Sequence, residues 1–329
     1  MAKDGLDLER PEFDRPDPST PKPPPRILNR LKTPAWTTRE TGQPMLVDPA
    51  RLKTDYLINF RASVATDMHT FAFEVRAGGA VPFIAGALPA SGKPKAWILY
   101  FRHTAQKKDF TNNLLEMGGG DYLLGRMQAC AQITASGKSV GVIIPIGLGS
   151  IASFAQDQAL IAQCIREIEA SLLGGVVSLP LLGACNSDSI FLLDKFLQRC
   201  PLLRARIKAI YDFDGSHRIG SEGITLSVKG AQTFRYMGPR SPQNNRGPET
   251  DQQFLARTMG GNPAVVPLAL SRWRLHRDFG IVRPTDAPPK VRKKGELGLE
   301  ALNENDFNWL HHRIPCCMLH HGLVSTTAI

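Results

Sequence analysis

The stretch 176-VVSLPLLGACNSDSIFLLDKFLQ-198 decides how the rest of the chain is read. It opens with Val176–Gly183, an apolar run short enough for a strand buried on both faces of a sheet. Pro180 lies inside that run and cannot donate to a strand ladder, so the strand starts only near Leu181. Ala184-Cys185-Asn186-Ser187 follows and leads into DSIFLLDKFLQ, a predicted helix from Asp188 to Gln198. Gly183 and Ser187 stand two residues either side of Cys185, a spacing that lets a central side chain rise from a sharp strand-to-helix turn. The helix N-terminus would favour a thiolate at that point.

Working outward, Thr70–Arg76 alternates apolar and polar residues as a half-buried strand does. Ala96–Phe101 and Ser139–Ile146 are continuous apolar runs that predict strands buried on both faces. A helical stretch is expected from Asp121 to Ala135. A second starts at Ser153, with Gln156 at capping-box spacing, and stops at Gly174-Gly175. Phe154, Ile161, Cys164, Ile165, Ile168 and Leu172 share one face of that helix. Downstream, Ile207–Phe213, Thr233–Met237 and Ile314–Leu319 are read as further strands. Strands alternating with helices at this spacing predict an α/β fold, a doubly wound and mostly parallel sheet covered on both faces.

Residues 1–45 are rich in proline (PEFDRPDPSTPKPPPR) and poor in apolar positions, which predicts a disordered tail. The tail is a candidate ligand for a proline-reading partner. Residues 46–329 form the expected domain, with an insertion at about 238–295. No apolar run is long enough to span a membrane, and MAKDGLDLER lacks the layout of a secretory signal. A cytoplasmic location follows as the expectation, with export by a signal-free route left open. The six cysteines in 329 residues are too sparse for a disulfide framework and are read as reduced. The net charge of +10 is concentrated between Arg272 and Lys294, without interleaved aromatics, so nucleic acid is not expected as a partner.

In an open parallel sheet, reactive groups gather beyond the carboxyl ends of the strands. Gly183-x-Cys185-x-Ser187 stands there and resembles the nucleophile elbow of the α/β-hydrolase superfamily, usually G-x-S-x-G. Cysteine in the serine position is the pattern of its dienelactone-hydrolase-like members; Ser187 in place of the second glycine is a departure. The resemblance covers roughly residues 70–329 and implies a triad in the order nucleophile, acid, histidine. It assigns Cys185 as nucleophile and Asp214 of AIYDFDGSH as acid, with Asp212 in reserve. His321 becomes the general base, expected in a loop after the last strand, with His320 in reserve. The oxyanion donors are expected from the amide of Asn186 and from the loop holding His103 and Thr104; His103 is alternatively a substrate contact. The implied activity is hydrolysis of a small-molecule ester or related acyl substrate, without a cofactor. The alternative is a catalytically inactive binding or effector protein on the same scaffold.

Two other chemistries have weaker signals. His311-His312, Cys316-Cys317 and His320-His321 bring possible metal ligands together, but adjacent cysteines on a strand would point to opposite faces and form no knuckle. No metal is therefore expected. Gly118-Gly119-Gly120 and Gly147-Leu148-Gly149 have the spacing of neither a P-loop nor a dinucleotide fingerprint.

Overall fold

The computed structural model describes residues 25–36, 67–77, 81–102, 114–125, 127–147, 151–213, 215, 224, 226–236, 265–268, 315–316 and 318–329, with the side chains of 117, 125 and 265–268 excepted. Among the described residues nine strands make one sheet: β1 (Leu28–Arg30), β2 (Met68–Val75), β3 (Phe83–Pro89), β4 (Ala96–Phe101), β5 (Val140–Ile146), β6 (Leu181–Asn186), β7 (Ile207–Phe213), β8 (Gln232–Tyr236) and β9 (Val265–Leu268). Their order is β1-β2-β3-β5-β4-β6-β7-β8-β9. Pairing is antiparallel from β1 to β5 and parallel from β5 onward. The sheet is doubly wound and mostly parallel, as expected.

Side chains alternate between two cores. Ile98 and Tyr100 of β4 face α1 (Leu114–Gly120), α2 (Ala129–Ser136) and a C-terminal helix over residues 315–316 and 318–325. Trp97, Leu99 and Phe101 face α3 (Ala152–Gln156), α4 (Gln158–Leu173), α5 (Ile190–Arg199) and α6 (Pro201–Arg204). Strands β4, β5 and β6 are buried along their whole length, which explains their unbroken apolar runs. As Pro180 predicts, β6 begins at Leu181; the Pro180 carbonyl still accepts from Trp97 N at 2.9 Å.

Two expectations need correction. Ile314–Leu319 is not a strand: residues 315–316 and 318–325 are helical. Cys316, Leu319 and Leu323 recur at three and four residues and bury one helical face, a period that a six-residue window mistakes for a strand. The expected tail boundary also moves, because residues 25–36 belong to the sheet and its flanks. β1 pairs with β2, and Glu167 of α4 accepts from Ile27 N at 3.0 Å and Leu28 N at 2.8 Å. Trp36 Nε1 donates to Thr70 Oγ1 at 2.9 Å. Residues 1–24 and 37–45 lie outside the described residues. Within the expected insertion, Val265–Leu268 pairs with β8 and extends the sheet; the rest of 238–295 lies outside the described residues. No helix among the described residues is long and apolar enough to cross a membrane.

Candidate functional site

β6 runs through Cys185 to Asn186, whose backbone is still extended at φ −133 and ψ 136. The sharp turn comes one residue later. Ser187 has φ 55, a left-handed value that costs a non-glycine residue about 1 kcal/mol or more and is kept only where the surroundings enforce it. A single 3-10 turn, Ser187–Ser189, then passes into α5. The turn residue is therefore Ser187, not Cys185. Small residues flank it at two positions' distance, Cys185 before and Ser189 after. The sequence carries this reading in C-x-S-x-S, one motif further along than G-x-C-x-S. Its hydroxyl makes no hydrogen bond among the described residues.

Cys185 sits in the sheet with no exposed surface. Burial pushes its thiol well above the usual 9.0; the neighbouring Asp212 carboxylate adds to the rise and the Arg235 guanidinium opposes it. The expected thiolate is thus disfavoured where it was sought. Asn186 N, expected as an oxyanion donor, instead donates to Ser189 Oγ at 2.8 Å. Ser189 Oγ in turn lies 2.7 Å from the Phe101 carbonyl and 2.6 Å from that of Asn186, while Asn186 Nδ2 donates to the Phe213 carbonyl at 3.0 Å. These bonds tie the ends of β4, β6 and β7 together around the turn.

Asp212, the reserve acid, is fully buried on the same side of the sheet as Cys185. It accepts from Gly215 N at 2.8 Å and from Arg235 Nε at 3.3 Å, with Cys185 Sγ at 3.8 Å. Cys185, Asp212 and Arg235 are cross-strand partners in register. Gly215 packs where a side chain could not: a Cβ would fall 2.6 Å from Asp212 Oδ1, 2.8 Å from the Ser187 carbonyl oxygen and 2.9 Å from Ile190 Cβ. Asp214, His103 and Thr104 lie outside the described residues. Arg102, at the end of β4, is buried with its guanidinium 5.6 Å from the Tyr122 ring centre.

His320 and His321 lie within the C-terminal helix rather than in a loop. His321 Nδ1 shares a 2.9 Å hydrogen bond with Tyr236 OH, and Nε2 lies 3.4 Å from Ser325 Oγ. Tyr236 ends β8, two strands from β6, which separates it from the turn by about 10 Å across the sheet. His320 is buried, and desolvation lowers its pKa, disfavouring the imidazolium. The helix runs against the strands: His321 meets Tyr236 at the end of β8, whereas Thr327 N meets Gln232 at its start, 2.8 Å away. Gly322 lets it approach, since a Cβ there would sit 2.8 Å from the Tyr211 ring. Among the described residues no group of three His, Cys, Asp or Glu could hold a metal ion; His311, His312 and Cys317 lie outside them.

The sheet is doubly wound and mostly parallel, with a left-handed serine between the central parallel strand β6 and the helix that follows it. No family model matches the chain, and no curated protein matches it. Among solved structures, the chain is similar to a dienelactone hydrolase-like promiscuous phosphotriesterase from metagenomic libraries, at 11% identity and TM-score 0.36, over 62% of this chain and 81% of that one. It is also similar to carboxyl esterase 2 of the mycorrhizal fungus Tuber melanosporum, at 13% identity and TM-score 0.39, over 63% and 77%. A third is EstE1, a thermophilic and thermostable carboxylesterase cloned from a metagenomic library, at 8% identity and TM-score 0.39, over 66% and 81%.

Proposed function

We propose that the protein is an acyl hydrolase acting on a small-molecule ester, with Ser187 in place of Cys185 as nucleophile. The observation that carries the proposal is the left-handed backbone of Ser187 at the carboxyl end of β6. Such a turn presents a hydroxyl at the head of a helix, and the amide after it, that of Asp188, is the natural donor to a developing oxyanion. Asp214 remains the proposed acid, because Asp212, near the end of β7, spends its oxygens on Gly215 and Arg235.

The base is reassigned in the same proposal. A general base needs to come within about 3 Å of the proton it takes, and the ring nitrogens of His321 face Tyr236 and Ser325. Because the C-terminal helix runs against the strands, Pro315 lies about 9 Å closer than His321 to the carboxyl edge. His311 and His312 immediately precede that end in sequence. We propose His312 as base, with His311 as its alternate. The inactive-scaffold reading is favoured only by the engagement of His321 and would be the surviving one if Ser187 proved inert.

Hydrolysis of p-nitrophenyl acetate and butyrate by the full chain tests the proposal. Ser187→Ala and His312→Ala should each lower kcat by on the order of a thousandfold, while Cys185→Ala and His321→Gln retain activity. Loss in Cys185→Ala with retention in Ser187→Ala would overturn it.

A further inference from the structure

We infer that Asp212, clamped by Arg235, is a positioning residue that moors the turn after β7 against the Ser187 turn. The inference rests on the proposed role of Ser187 only for its catalytic consequence. Its physical basis is a chain of contacts that no demand of strand pairing explains. Arg235 Nε fixes one carboxylate oxygen of Asp212, leaving the other to hold the Gly215 amide at 2.8 Å. Gly215 is thereby pressed on the Ser187 carbonyl and Ile190, the first residue of α5. A second tie, from Asn186 Nδ2 to the Phe213 carbonyl, joins the same two chain ends from the other side. Both ties bear on described residues on either side of the Ser187 turn, Phe213 and Gly215.

A buried ion pair is a poor device for stability alone, since apolar residues of similar volume often serve as well or better. It is well suited to fixing the direction of a carboxylate, because both partners are rigidly oriented by hydrogen bonds. The pair therefore acts on the turn through the Gly215 amide, and not through charge at the reacting atoms.

Two double variants separate mooring from charge pairing. Both remove the ion pair without stranding a buried charge: Asp212→Asn with Arg235→Gln keeps an acceptor for the Gly215 amide, and Asp212→Ala with Arg235→Gln does not. Hydrogen exchange read on a peptide spanning residues 185–190 should accelerate roughly tenfold in the alanine pair and stay near wild type in the asparagine pair. Gly215→Ala, which crowds the same contact, should accelerate it as well. Labelling of Ser187 by a fluorophosphonate should slow about tenfold in the alanine pair and recover in the asparagine pair. Equal exchange in the two double variants would overturn the inference, whatever the labelling shows. Divergent exchange in a protein whose Ser187 never labels would uphold the mooring while removing the hydrolase proposal.

Discussion

β6 has a left-handed serine near each end, and the two differ in what holds them. Ser178, before the strand, has φ 54; Ser187, after it, has φ 55. Ser178 is exposed, and its amide donates to Glu169 at 2.8 Å. The same buried carboxylate accepts from Val177 N at 2.9 Å, Leu179 N at 3.2 Å and Trp97 Nε1 at 3.2 Å, with Arg206 NH2 at 3.8 Å. Glu169 thus closes the end of α4 and starts β6. Ser187 is held instead through its neighbours, by Ser189, Asn186 and Gly215, and its own hydroxyl is left without a partner among the described residues. Equal strain marks a latch at one end and a candidate nucleophile at the other. The distinction lies in the strand direction and in what the side chain is left to do.

Substitution of the two serines should have the largest effect. Ser187→Ala should remove esterase turnover by three orders of magnitude or more, whereas Ser178→Ala should leave kcat within twofold; similar losses would mean that strain, not position, explains both. The next effect is on stability. Glu169→Ala strips an acceptor from three backbone amides and Trp97, and should cost about 3 kcal/mol in urea unfolding, with turnover of the folded fraction unchanged. An undiminished midpoint would show that the latch is ornamental.

Buried thiols sharpen the contrast through pH. Cys130 and Cys164 are pushed up to about 12, chiefly by burial. Below pH 9 both folded and unfolded chains keep these protons, so the contribution to stability is complete. Between 9 and about 12 the unfolded chain sheds them and the folded chain does not, so stability falls by about 1.4 kcal/mol per pH unit for each thiol. Urea titrations at pH 8 and pH 10 should show that loss, and Cys185 should resist iodoacetamide at pH 8 until the protein unfolds. Prompt alkylation of folded Cys185 would restore it as the candidate. The smallest effect is Ser178→Gly, expected to stabilise by about 0.5–1 kcal/mol by relieving the left-handed backbone; the same change at Ser187 should instead abolish turnover.

Much of the architecture is legible in the sequence, because β4, β5 and β7 bury every or nearly every residue and announce themselves as apolar runs. β3 (FIAGALP) escapes because alanine and glycine carry little periodic signal. The C-terminal helix is mistaken for a strand because its apolar positions cluster within six residues. At the site, the general place of the turn is readable, yet its register is not. Gly183 draws attention to G-x-C-x-S, although it lies within the strand; C-x-S-x-S names the turn only once the strand is seen to continue to Asn186. The buried pairing of Asp212 with Arg235 is invisible in sequence, since the two meet only through the parallel register of β7 and β8.

The most direct test of the Ser187 assignment is to treat the intact protein with a fluorophosphonate and fragment the labelled peptide containing both Cys185 and Ser187. A single phosphonyl adduct is expected on Ser187, absent after Ser187→Ala and undiminished after Cys185→Ala. An adduct on Cys185, or labelling elsewhere that survives Ser187→Ala, would contradict the assignment.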